Sequence, residues 1–161
     1  MFDEALSLVF LLEGGKTDNK NDPGRKTNLG ITQKTYTAWL LKHGKSDNDV
    51  FNITEEEAKE IYYNEYWLPA GCDKLPIKLA LCHFQSVVLL WIVTSNKILA
   101  DVMSLQNKRK SLLDESLCFI YLTLQYIELK DRIQKNPALE IFHLGWINRL
   151  SKTFKFISNL K

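Results

Sequence analysis

Two acids near the amino terminus, Glu13 and Asp22, have the neighbours that acid–base chemistry requires. Phe2, Leu6, Val9 and Glu13 recur at i, i+4, i+7 and i+11, which is one stripe of a helix. The first three are apolar and face a core, so Glu13 extends a buried line at the helix's last turn. Gly14 and Gly15 then supply the positive backbone angles that stop a helix. Burial disfavours the charged form of an acid, so a carboxyl in such a place is suited to hold a proton. A placed proton donor is what cleavage of a glycosidic bond needs.

Residues 16–30 form a polar stretch with almost no apolar content and an Asp22-Pro23-Gly24 turn signal. Loops of this length without periodicity are uncommon unless they have a function. This one returns a second carboxylate, Asp22, and two short polar side chains, Thr27 and Asn28, towards Glu13. Glycoside hydrolysis uses one acid and a second carboxylate across the sugar, so Glu13 and Asp22 fit as a pair, with Thr27 and Asn28 to position water or sugar.

The string Glu13-Gly14-Gly15, then Asp22-Pro23-Gly24, then Thr27-Asn28-Leu29-Gly30-Ile31-Thr32 resembles the start of the glycoside hydrolase 108 family, N-acetylmuramidases of phages and bacteria. The family pattern reads Glu-Gly-Gly, a short polar stretch, then Asp-Pro-Gly-Gly-x-Thr-Asn-x-Gly-Ile-Thr; Arg25 stands here at the second glycine of the turn. The Glu, Asp and Thr spacing is also similar to that of phage-type lysozymes. The resemblance implies a lysozyme-like domain acting on peptidoglycan, with Glu13, Asp22 and Thr27 as its catalytic constellation. A Gly145-Trp146-Ile147-Asn148-Arg149 element resembles the Gly-Trp-Leu-Asn-Arg near the family's carboxyl end, a part of the family classed as a peptidoglycan-binding region. The middle departs. Where family members show Phe-Asp-x-x-Val-Asn-x-Gly, this chain has Phe84-Gln85-Ser86-Val87-Val88-Leu89-Leu90-Trp91. Gln85 can still donate and accept hydrogen bonds, whereas Leu89 and Trp91 replace an amide and a glycine.

The chain has 161 residues, 45% hydrophobic and 25% charged, an ordinary composition for one globular domain. A net charge of +2 is too small to indicate a nucleic-acid partner. Cys72, Cys82 and Cys118 are odd in number and widely spaced, which argues against a metal site or a disulfide framework and for buried thiols. No metal or cofactor is expected. Asp3 and Glu4 precede the first apolar stretch with no basic residue, so a standard secretory signal is not expected. The expectation is synthesis in the cytoplasm, export assisted by a holin or a secretion system, and action at the cell wall.

Thr32 caps a helix to about His43, and Thr54 with Glu57 forms a capping box for another. That second helix carries Tyr62, Tyr63, Tyr66 and Trp67, of which Tyr66 and Trp67 are candidate sugar contacts, together with Asn28 and Gln85. Core packing is the competing role for each aromatic. Residues 79–93 are nearly all apolar but interrupted by His83, Gln85 and Ser86, so they read as a central core helix rather than a stable membrane insertion. Thr94-Ser95-Asn96 reads as the cap of a new helix. Residues 111–135 read as an amphipathic helix with Leu113, Leu117, Ile120, Leu124, Ile127 and Ile133 inward, and Asn136-Pro137 breaks it before a last helix over 138–160.

The expected fold is all-α and lysozyme-like, with at most one small hairpin, in a single domain over 1–161. A catalytic part is expected over about 1–106 and a helical part resembling a peptidoglycan-binding region over about 107–161. The expected function is cleavage of the glycan strand between N-acetylmuramic acid and N-acetylglucosamine by general acid catalysis. A lysozyme-like protein that binds peptidoglycan or a protein partner without cutting it, a lytic transglycosylase and a membrane-active helical protein are the alternatives.

Overall fold

The computed structural model describes residues 1–13, 15–18, 26–108 and 113–160, so Asp22 and the turn around it lie outside the described residues. The fold is helical with one small sheet. Helix α1 spans Phe2–Glu13 and buries Ala5, Leu6, Leu8 and Val9, the expected stripe and its flank. Strands β1 (Thr17–Asp18), β2 (Lys26–Asn28) and β3 (Ile31–Thr32) form an antiparallel sheet in that order, one strand more than the expected hairpin. Asn28 pairs with Ile31, leaving Leu29 and Gly30 as a two-residue turn with φ of 51° and 75°. Positive φ at both positions is the geometry that matches the twist of a tight hairpin.

Helix α2 (Gln33–Lys42) starts at Thr32, whose hydroxyl accepts from the Thr35 amide at 3.2 Å. Helix α3 (Glu55–Ile61) carries the expected Thr54–Glu57 capping box. It runs on as a π-helical turn, Tyr62–Trp67, which brings the Tyr62 and Tyr66 rings to 5.4 Å between centroids. Single π turns of this kind are rare and concentrate at functional sites.

Helix α4 (Ile77–Lys108) runs through the middle of the molecule. Ala80, Leu81, Phe84 and Val87 pack into a core with α1, α2 and α3, while Leu79, Cys82, Leu90, Ile98 and Val102 pack into a second core with α5 and α6. A helix enclosed on both sides must be apolar nearly all round, which is why residues 79–93 read as they do. The break expected at Thr94 occurs instead at Trp91, whose backbone sits at φ 67°, ψ 159°. Ser95 is not a cap. It is fully buried, with its hydroxyl 3.0 Å from that of Ser86 across the kink.

Helix α5 (Asp114–Lys135) buries Leu117, Cys118, Tyr121, Leu122, Gln125 and Leu129. The expected inward stripe holds at Leu117, Ile120 and Leu124, which pack in the second core, and fails at Leu113 and Ile127, which are exposed. The true stripe includes Tyr121 and Gln125, polar residues that an apolar count passes over. Asn136 ends α5 and its side chain accepts from the Ala138 amide; a 3-10 segment, Pro137–Phe142, then leads into α6 (His143–Ser158). The last helix is thus shorter than the expected 138–160.

Candidate active site

Glu13 is the final residue of α1, and its carboxylate does not end against apolar side chains alone. Its Oε1 accepts a 2.6 Å hydrogen bond from Nη1 of Arg149 on α6. Arg149 is itself buried, and two more of its five N–H groups are engaged: Nε donates to Gln85 Oε1 at 3.1 Å and Nη2 to the Gln85 carbonyl at 3.0 Å. Gln85 in turn donates to Gln125 Oε1 at 2.6 Å and to the Cys82 carbonyl. A guanidinium is a rigid planar fork, so satisfying three of its N–H directions fixes it in space. The four side chains run from α5 through α4 and α6 to α1 and hold one oxygen of Glu13. Oε2 accepts no hydrogen bond from the described residues.

The backbone of the β2–β3 turn closes over Glu13 from the other side. A Cβ on Gly30 would lie 2.7 Å from Cγ of Glu13 and 2.5 Å from the Tyr62 hydroxyl. No side chain fits there, and the positive φ independently requires glycine. Tyr62 locks the turn by donating to the Leu29 carbonyl at 2.9 Å. Burial raises the pKa of both Tyr62 and Tyr66, and the Glu13 charge raises each further, so the two phenols stay protonated donors.

Gly30 also lines a groove of about 680 Å³, whose walls include Thr32, Thr35, Trp39, Tyr66, Val88 and Trp91. Glu13 is not a wall of this groove; it lies against Gly30, with a side chain about one-fifth exposed. The arrangement places an acid beside a cleft that is largely apolar with polar edges, a form suited to a carbohydrate chain.

Several of the residues singled out in the sequence take other positions. Tyr66 lines the groove. Trp67 does not: it is a core side chain, edge-on to Phe2 and Phe84 at 5.3 and 5.2 Å, with no face for a sugar. Gln85 is fully buried and meets Arg149, not solvent. Asn28 is also buried, donating to the Val50 and Phe51 carbonyls, so it ties β2 to the 50–52 segment. Lys26 assists by pairing with Asp49 and lying 4.4 Å over the Phe51 ring. Thr27 sits in the middle strand with its hydroxyl 2.6 Å from that of Thr17. Asp22 lies outside the described residues. Among the described residues no cluster of three or more His, Cys, Asp or Glu side chains is placed to hold a metal.

Arg149 is the residue that spacing did not single out for the site. A fully charged side chain on the same face as Trp146 and Leu150 was the available signal, because a buried arginine must find an acid. Trp91, on the groove wall, was noted only as a departure from a pattern.

The solved structure of Brucella abortus SagA shares this fold: it aligns with a TM-score of 0.78 over 98% of this chain and 93% of its own, at 24% sequence identity. No curated protein matches the chain. The model of the family described as glycosyl hydrolase 108 matches residues 6–90, just over half the length, and takes in Glu13, the sheet, the tyrosine turn and α4 up to its kink. The chain belongs to the glycosyl hydrolase 108 family.

Proposed function

We propose that the protein is a peptidoglycan hydrolase of the lysozyme type, an N-acetylmuramidase that cuts between N-acetylmuramic acid and N-acetylglucosamine. The observation that carries the reading is the carboxyl of Glu13, held through one oxygen by Arg149 and set against Gly30 on the groove wall. In this reading Glu13 delivers a proton from Oε2, the oxygen that Arg149 leaves free, to the leaving glycosidic oxygen as the bond breaks. Arg149 fixes the direction in which that proton points. Asp22 serves as the second carboxylate, activating water or balancing the positive charge that develops on the sugar ring, and Thr27 helps to place the water. Tyr66 meets the glycan. The carboxyl-terminal part supplies Arg149 to this site, which supports treating the chain as one catalytic domain. Action at the cell wall follows from the substrate.

A second reading is favoured by a specific observation. The Glu13 oxygen in contact with Arg149 is already engaged, and the residue bracing Arg149 is Gln85, at the position where the family pattern has an acid. A site braced in this way is consistent with a domain that holds peptidoglycan without cutting it.

Digestion of purified sacculi separates the two. The wild-type protein is expected to release muropeptides with reducing muramic acid ends, and Glu13→Gln to release none while keeping its circular dichroism and Tm. Release by Glu13→Gln at the wild-type rate would remove Glu13 as the acid. Retention on sacculi with no release by wild type would establish the binding reading, and anhydro-muramyl ends would reassign the reaction to a lytic transglycosylase.

A further inference from the structure

Trp91 occupies a backbone conformation, φ 67° and ψ 159°, that is essentially reserved for glycine. An L side chain there is strained, and such strain persists only where its surroundings or a function impose it. Packing does not account for it, because the indole is 67% exposed and gains little from burial. What the conformation does accomplish is positional. It kinks α4 and sets the Trp91 ring on the groove wall, near-parallel to Tyr66 at 26° with 6.4 Å between centroids. Gly30, which lies against Glu13, lines the same groove.

We propose that Trp91 is a saccharide-binding platform, which with Tyr66 forms a subsite for an N-acetylhexosamine unit of the glycan some way along the groove from Glu13. The proposal rests on the muramidase reading and extends it to a residue outside the acid–base machinery. The occupant follows from the lining. Indole and phenol rings take the apolar C–H face of a pyranose, while the Thr32 and Thr35 hydroxyls, bonded to each other at 3.0 Å, leave one O–H for its polar edge. The groove's continuity with Gly30, and so with Glu13, argues for a chain of sugars over a separate small ligand.

The strain gives the proposal a signature that a merely structural tryptophan would not have. In the Glu13→Gln background, which prevents cutting, binding of chitotetraose and of a GlcNAc–MurNAc tetrasaccharide is measured by calorimetry, and Tm is measured alongside. Trp91→Phe is expected to bind within about threefold of its parent, since it keeps an aromatic face. Trp91→Ala is expected to weaken binding about tenfold with no gain in Tm. Trp91→Gly is expected to weaken binding equally while raising Tm by about 2–4 °C, because glycine relieves the backbone. Unchanged affinity in Trp91→Ala would overturn the proposal alone, as would a fall in Tm for Trp91→Gly. A concentration-dependent dimer abolished by Trp91→Ala, with saccharide affinity unchanged, would make the ring a self-association contact and also overturn it. Failure of the folded parent to bind either saccharide would overturn both this proposal and the muramidase reading.

Discussion

Gly30 and Trp91 lie on the wall of one groove and share one backbone property, a φ near +70°, yet they fill it in opposite ways. At Gly30 the residue is the one the geometry demands twice over, by its dihedral and by the proximity of Glu13 and Tyr62. At Trp91 it is a bulky residue, two-thirds exposed to solvent, where glycine would sit at ease. Agreement between local preference and position marks the first as part of the folding plan. Conflict between them marks the second as a place where something other than folding chose the side chain.

The comparison is most severely tested at Gly30. Gly30→Ala forces a methyl group against Glu13 Cγ and the Tyr62 hydroxyl at a strained φ, and is expected to lower the free energy of unfolding by about 2–5 kcal/mol. Urea denaturation measures this, and a loss under 1 kcal/mol would show that the turn can move away from Glu13. Removing the opposite brace comes next. Arg149→Met leaves Glu13 and both Gln85 acceptors without their donor, and is expected to cost about 2–4 kcal/mol, somewhat below a fully buried pair because Glu13 is partly exposed. Glu13→Gln retains an acceptor for Arg149 and is expected to cost about 1 kcal/mol or less.

The interior of α4 sharpens the contrast between charged and neutral polar clusters. Near the Ser86–Ser95 contact, His83 is fully buried, with Nδ1 2.9 Å from the Tyr121 hydroxyl. Burial pushes its pKa down to about 4, while the unfolded chain titrates at about 6.5. Between those values the unfolded state binds more protons, so the stability linked to His83 is complete above pH 6.5 and is lost as pH falls towards 4. The free energy of unfolding is expected to drop by about 2–3 kcal/mol from pH 7 to pH 4.5 on this account. The same interval in His83→Gln should show that much less dependence; an identical pH profile would place the titration elsewhere. The smallest effect has the opposite sign. Trp91→Gly is expected to stabilise the fold by about 1 kcal/mol, the inverse of Gly30→Ala at its partner position.

Helical order was legible wherever one signal decided it. Thr32 and Thr54 are caps in the structure because the residues three places on give their amides to them. The end of α1 at Glu13 was legible from a stripe and two glycines. The α5 face was legible only at Leu117, Ile120 and Leu124, because Tyr121 and Gln125 turn inward to meet His83 and Gln85, partners far away in sequence. The kink at Trp91 was hidden for a related reason. A strong cap cluster, Thr94-Ser95-Asn96, lies three residues further on, and the one signal for the kink was that Trp91 stands where the family pattern has glycine. Within the site, Glu13 and Tyr66 lie beside the groove and along it. Trp67, Asn28 and Gln85 were drawn inward by packing and by buried hydrogen bonds, which are long-range consequences of the fold. Arg149 reaches Glu13 across 136 positions of chain, a distance at which spacing carries no information.

The central claim is that a glycan lies in this groove with its scissile bond at Glu13. A co-crystal structure of the Glu13→Gln protein with a GlcNAc–MurNAc tetrasaccharide tests it most directly. The account predicts a glycosidic oxygen at about hydrogen-bond distance, roughly 3 Å, from the side chain at position 13, with sugar continuing past Gly30 towards Tyr66 and Trp91. A glycan seated on another face, or one in this groove with every glycosidic oxygen beyond reach of position 13, would contradict it.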